Sequence, residues 1–322
     1  MKSELSEKSS TITEPPRADL SRVAVILTSW NSEHYFDLFP GPLLQQGIKP
    51  DQVLIIDSES RDNTAERARS FGFRVHVIPR NEFNHGTSRA LAATMVPWAD
   101  FLVYTTPDAI MAEPDTLEKL VAVFADPEVG AAFGRQLPHA TADHFARHAC
   151  DLNYPEKSII RDFESRRSLG FKTIFFSNNL GAYRRSALEA VGSFPAGIIT
   201  AEDSYVAAKM TLKGWKTAYV AEARVYHSHN LSLTQVFRRY FDTGVLHVRE
   251  SWLRKEFGEP GGEGLRFVRA EIAYLWKARP SLIPMVFLRT AFKYAGYQLG
   301  KRERSIAPGL KRRLGNLREF WS

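Results

Sequence analysis

The chain has 322 residues, 44% hydrophobic and 25% charged, which suits a globular protein with a sizeable core and excludes a fibrous or wholly disordered one. The formal net charge of +7 favours anionic partners, namely nucleotides, nucleic acid or an acidic membrane surface. One cysteine, Cys150, rules out an internal disulfide or a cysteine metal cluster and fits a reducing compartment.

Residues 1–20 are polar and proline-bearing and read as a disordered tail. They lack the apolar core of a signal peptide. No apolar run reaches the length of a membrane span, so a cytoplasmic protein is expected, with room for binding at a membrane surface. From Arg22 the texture changes. Four apolar runs, "VAVILT" (23–28), "QVLIID" (52–57), "FRVHVI" (73–78) and "DFLVYT" (100–105), read as strands. Helix-like segments lie between them, roughly over 32–46, 62–71 and 86–95. This alternation predicts an α/β fold, a mostly parallel sheet with helices on both faces. Continuous apolar strands fit burial on both sides.

Further along, 117–126 reads as a helix, 129–134 as a strand, and 141–168 as a helix and a loop. Residues 173–194 read as strand, turn and helix. "EDSYVAAKMTLKGW" (202–215) is a helix opened by acids and stopped at Gly214. "KTAYVAEARVYHSH" (216–229) is strand-like, and from Ser232 the chain is helical, with "GEPGGEG" (258–264) as a linker. The expected organisation is a tail over 1–20, an α/β domain over 21–231 and a C-terminal helical region over 232–322.

In parallel sheets ligands bind beyond the carboxyl ends of the strands. Asn31, Asp57 and Asp108 all fall there. A buried strand-end acid is costly without a partner, so Asp57 either caps the turn or accepts a hydrogen bond from a nucleobase or ribose. In "NEFNHGTSR", Gly86 opens a helix where a phosphate can approach backbone amides, and Arg89 adds a cation one turn in. The alternative is an ordinary surface helix. Asp108 in "TTPDAI" is one carboxylate, too few to hold Mg²⁺ or Mn²⁺ unless a diphosphate and water complete the shell. His227 and His229, two apart on a strand-like segment, face the same way and offer further ligands. Glu202 and Asp203 either complement a helix dipole or supply a general base.

In this order and spacing, "VAVILTSWN", "LIIDSESRDNT", "YTTPDA" and "AED" resemble the family 2 glycosyltransferases, which have the GT-A fold. The resemblance covers roughly residues 22–230. Thr106-Pro107-Asp108 stands where the family carries Asp-x-Asp, and Asp57-Ser58 where it carries two acids. Both reductions, together with "FNHGTSR", "SNNLGAYRRSALEAVGSF" and "HSHNLSLTQVFRRYFDTGVLH", are similar to the rhamnosyltransferase branch.

The resemblance implies an inverting transfer from a nucleotide sugar, dTDP-L-rhamnose, to a saccharide acceptor that is lipid-linked through a polyprenyl carrier. It implies Asp203, beside Glu202, as the base and Thr28, Asn31 and Asp57 as nucleoside ligands. Arg89 would lie near the phosphates or ribose, and Mg²⁺ or Mn²⁺ would sit on Asp108 with His229 or His227. It implies work at the inner face of the cytoplasmic membrane, where a basic, aromatic C-terminal region would meet anionic lipid, and leaves room for a homo-oligomer.

A UDP-hexose donor is the alternative within the family. A nucleotidyltransferase would need a glycine-rich, lysine-bearing phosphate loop after the first strand, which "TSWNSEHYF" lacks. A nucleic-acid-binding protein is permitted by charge, but no recognised module is present, so nucleic acid is not expected as a partner.

Overall fold

The computed structural model describes residues 18–259 and 262–321. Most of the tail expected over 1–20, and residues 260 and 261 of the linker, lie outside the described residues. The core is one sheet built from β1 (Val23–Ser29), β2 (Val53–Asp57), β3 (Arg74–Val77), β4 (Phe101–Thr105), β5 (Ile110–Met111), β6 (Val129–Leu137), β7 (Ile159–Arg161), β8 (Leu180–Arg184) and β9 (Lys216–Tyr226). The order is β3-β2-β1-β4-β8-β6-β9-β5, with β7 pairing on β9.

β1 lies parallel to β2 and β4, with Leu27 opposite Ile55 and Val25 opposite Val103. β2 is parallel to β3, and β6 to β9. β8 joins the two parallel groups by running antiparallel to both β4 and β6. Strand side chains alternate between faces, so β1 serves two cores. Val23, Val25 and Leu27 enter one, with Phe36, Phe39 and Leu43. Ala24 and Ile26 enter the other, with Tyr104, Tyr183 and Val206.

The covering helices are α1 (Pro40–Leu44), α2 (Thr64–Ser70), α3 (His85–Met95), α4 (Thr116–Ala122), α5 (His144–Asn153), α6 (Arg166–Leu169), α7 (Arg185–Ala190) and α8 (Glu202–Leu212). The helix expected over 32–46 is broken. Residues 33–35 form one 3-10 turn, and a helix resumes only at Pro40, whose fixed φ suits a first turn but not an interior. The strand expected early in 173–194 begins only at Leu180, because residues 170–174 form a 3-10 turn.

Then come α9 (Leu233–Arg249), α10 (Ser251–Phe257), α11 (Glu263–Ala278), α12 (Ile283–Lys301) and α13 (Pro308–Leu314). α9 and α12 touch backbone to backbone. A Cβ on Gly296 would lie 2.3 Å from the Phe237 carbonyl oxygen, and one on Gly300 would lie 2.0 Å from that of Phe241. Glycine is the residue that permits such an approach. Phe241, Val245 and Leu246 of α9 also pack with Ile198 and Ile199, just before α8. The C-terminal helices are thereby joined to the sheet close to the acids of α8.

Candidate active site

Two clusters of polar side chains lie at the carboxyl end of the central strands. The first surrounds Asp108, which follows β4. His227 Nε2 stands 3.4 Å from its Oδ2, and His229 Nε2 stands 3.6 Å away. One ligating atom from each residue fits within a 4.8 Å span. Both histidines follow the end of β9, and their rings meet edge to face with centroids 4.6 Å apart.

His227 Nδ1 lies 2.9 Å from Gln136 Oε1. Gln136 Oε1 accepts from Nδ1 when that nitrogen is protonated, and Asn179 Nδ2, 3.2 Å away, donates to it when it is not, so the ring is held from behind in either tautomer with Nε2 turned to Asp108. The arrangement is that of a metal-ligating histidine oriented from behind. Burial pushes the Asp108 carboxyl up, but the His227 hydrogen bond and charge, with Thr106 and His229, more than reverse this and hold it well below the ordinary range. Burial lowers His229, favouring the neutral ring that a metal needs. One carboxylate and two imidazoles form a mixed set that fits Mn²⁺ better than the oxygen-only preference of Mg²⁺.

The second cluster opens α8. Ala201 precedes it with φ of 57°, a left-handed conformation that costs a residue with a Cβ on the order of 1 kcal/mol. Glu202 is buried and ion-paired with the buried Arg89 of α3. Burial pushes Glu202 up, and Arg89 and His85 outweigh it, so Glu202 stays ionised. Asp203 is partly exposed and accepts hydrogen bonds from the backbone N–H of Asn178, 3.2 Å, and of Ser204, 2.7 Å. Burial first, and the Glu202 charge second, raise it to about 7. Asn178 and Asn179 bridge the clusters: Asn178 donates to Asp203, and Asn179 Nδ2 lies 3.2 Å from His227 Nδ1.

Beside Asp108 lies a cleft of about 330 Å³ bordered by Thr28, Trp30, Ser58, Arg80 and His85, among others. Thr28 and Asp108 border it. Asn31 and Asp57 do not border it; they hold the turns that carry the bordering residues Trp30, Ser32 and Ser58. Ser60 Oγ donates to Asp57 Oδ1 at 2.5 Å and accepts from the Asn31 backbone N–H at 2.8 Å.

Arg89 is corrected more sharply. Expected near phosphates, it is 4% exposed and turned to Glu202. Nor is the α3 N-terminus open to a phosphate. Asn84 Oδ1 accepts from Gly86 N at 2.9 Å and Thr87 N at 3.3 Å, and a Cβ on Gly86 would meet the Pro195 carbonyl oxygen at 2.0 Å. The glycine is there for the protein's own backbone.

Sequence reasoning did not single out Trp30, Arg80 or Gln136. Trp30 directly follows β1, on the same end as Asp57 and Asp108, which was the available signal. Gln136 sits within a strand and carried none.

A sheet of this order, with an acid-opened helix and a carboxylate–histidine cluster at one end, is the frame of a GT-A enzyme. The model of the family described as "Glycosyltransferase like family 2" matches residues 21–241, and the chain belongs to that family. It is therefore a glycosyltransferase. It is 41% identical over 302 residues to an O-antigen chain rhamnosyltransferase, RfbN, of Salmonella typhimurium, covering 94% of this chain and 96% of that one. It is 43% identical over 278 residues to another, WbaN, of Salmonella anatum, covering 86% and 88%. Among solved structures it resembles a mannosyltransferase of Pyrobaculum calidifontis in complex with GDP-Man and Mn²⁺, with TM-score 0.56, 20% identity, and 88% and 83% of the two chains covered.

Proposed function

We propose that the protein transfers L-rhamnose, with inversion, from dTDP-L-rhamnose to a saccharide acceptor during surface polysaccharide synthesis. Asp203 accepts the proton of the acceptor hydroxyl as its oxygen bonds to the anomeric carbon. The bond from that carbon to the diphosphate oxygen breaks, and the nucleoside diphosphate leaves. Thr28 and the turns shaped by Asn31 and Asp57 hold the nucleoside. Asp108, His227 and His229 would hold a divalent ion, Mn²⁺ or Mg²⁺, which neutralises charge on the leaving diphosphate when bound.

The observation that carries this reading is the division of labour at α8: Glu202 is tied to Arg89, so Asp203 is left as a base near neutrality beside the Asp108 cluster. The rhamnosyltransferases similar along most of the chain support the sugar and the pathway class. The mannosyltransferase that holds Mn²⁺ supports the metal.

The acceptor is proposed to be lipid-linked. A cavity of about 540 Å³ reaches Ser204, next to Asp203, and mixes Ile159, Leu169, Phe171 and Phe175 with Lys157 and Lys172, which suits an anionic, apolar molecule. Among the described residues no helix is long and apolar enough to cross a membrane. Peripheral binding at an anionic bilayer is proposed instead, through the helices after residue 262. Turnover with dTDP-L-rhamnose, UDP-glucose and UDP-N-acetylglucosamine, with the product's anomeric configuration read by NMR, tests the reading. Preference for a UDP sugar, or retention of configuration, would overturn it.

A further inference from the structure

The cleft beside Asp108 has a wall that the family match does not reach. The match ends at residue 241, yet Asn316, Leu317 and Glu319 border the cleft. The C-terminal segment is fixed there from below. The Asn316 backbone N–H donates to Asp242 Oδ2 at 2.9 Å, and the Trp321 ring lies 6.4 Å from that of Phe241.

Arg80 is the one arginine or lysine bordering this cleft among the described residues. Its guanidinium lies 4.1 Å from the centre of the Trp30 ring and donates to Ser58 Oγ at 3.3 Å. It is ion-paired with Glu319 at 2.9 Å. Arg89, the cation the sequence suggested for the phosphates, is buried and committed to Glu202. The Arg80 and Glu319 side chains are 30% and 25% exposed, so water reaches the pair and it can exchange partners. A diphosphate carries more charge than a carboxylate and matches the guanidinium fork. With the diphosphate bound, Glu319 would face like charge at short range, which is costly in a partly dry cleft.

We infer that Arg80 is the residue that receives the donor's diphosphate, and that Glu319 holds its place until the donor arrives and is then displaced. The inference rests on the cleft being the donor site, as proposed above. It makes the C-terminal segment part of the donor site, with Trp30 as the platform that keeps the guanidinium in the cleft.

The test is calorimetric titration of the full chain with dTDP, UDP and GDP in the presence of Mn²⁺. The tightest of these is carried forward, with its unphosphorylated nucleoside as control. Arg80→Gln should weaken the diphosphate about tenfold or more and leave the nucleoside within twofold. Glu319→Gln should tighten the diphosphate several-fold, again without moving the nucleoside. In Arg80→Gln/Glu319→Gln the gain should vanish, because the carboxylate acts through Arg80.

Hydrogen exchange over 315–321 in the wild type should quicken on diphosphate binding. Thermal unfolding of each variant separates lost binding from lost fold. Equal effects on diphosphate and nucleoside, a Glu319→Gln variant that binds no tighter, or slowed exchange over 315–321 would each overturn the inference. No binding of any nucleoside diphosphate by the wild type would overturn the reading of the cleft itself, and this inference with it.

Discussion

Arg89 and Glu202 form a buried ion pair between residues 113 apart in sequence, and among the described residues no cation pairs with Asp203 beside it. One arginine faces two adjacent acids. It settles on the deeper one, so the cost of burial and of a neighbouring negative charge falls on Asp203. An ordinary aspartate is too weak a base to take a proton efficiently near pH 7, and a raised one is better matched.

Removing Arg89 should therefore be a stability lesion. Arg89→Met leaves the Glu202 charge buried and uncompensated, a change worth about 3–5 kcal/mol. Arg89→Met/Glu202→Gln should recover much of that loss, because no charge is then stranded. Urea unfolding of the three variants checks both statements. A single variant within about 1 kcal/mol of wild type would show the pair to be incidental.

The Asp203 base predicts a pH profile. Its carboxyl titrates at about 7, and only the ionised form accepts a proton, so kcat/KM should fall as pH drops through 7 rather than through 4. The same shift acts on stability in the opposite sense. The folded state keeps the Asp203 proton over pH 4 to 7 while the unfolded state has lost it, so this group's contribution declines as pH rises through that window. Asp203→Asn should lower kcat about 10²–10⁴-fold and leave donor affinity within a few-fold. A variant with near wild-type turnover would reduce Asp203 to a helix-end acid.

The metal cluster predicts an effect from a residue that never touches the ion. Gln136 Oε1 holds the His227 ring from behind, 2.9 Å from Nδ1. Gln136→Leu should weaken Mn²⁺ binding about 10–100-fold, and Asp108→Ala should weaken it further. Titration followed by electron paramagnetic resonance reads both without turnover. Unchanged Mn²⁺ affinity in Asp108→Ala would remove this cluster as the metal site.

Much of this was legible from the sequence, and the rest was not for definable reasons. β1, β2 and β4 are apolar runs with sharp ends, so the strand-end acids Asp57 and Asp108 could be placed on one edge. The helix expected over 32–46 failed because Phe36, Phe39 and Leu43 have helical spacing and are buried, yet Pro40 starts a new turn between them. Arg89 was misread because an arginine one turn into a helix looks the same whether it faces a phosphate or a carboxylate from a distant segment. Arg80 and Glu319 were missed for a similar reason. Their meeting depends on how α9 to α13 return to the sheet, and no local pattern records that.

The last expectation concerns α11 and α12. Trp276, Phe287 and Tyr294 are 70%, 59% and 66% exposed, and Met285 and Leu288 lie open beside them. Lys277 and Arg279 are exposed next to Trp276. Large aromatic and aliphatic side chains in water are costly unless a partner covers them, and a rim of cations fits an anionic bilayer interface. Each basic residue near such a surface contributes about 1 kcal/mol, which salt screens. Full-length protein should therefore sediment with vesicles containing anionic lipid, less so in high salt, and weakly with neutral vesicles. Trp276→Ser/Phe287→Ser should reduce binding about tenfold or more while leaving the unfolding temperature close to wild type, since both side chains are exposed. Unchanged vesicle binding in that variant would move the contact elsewhere. Loss of a dimer in sedimentation velocity, with no vesicle binding by the wild type, would make a second copy of the chain the partner that covers these helices.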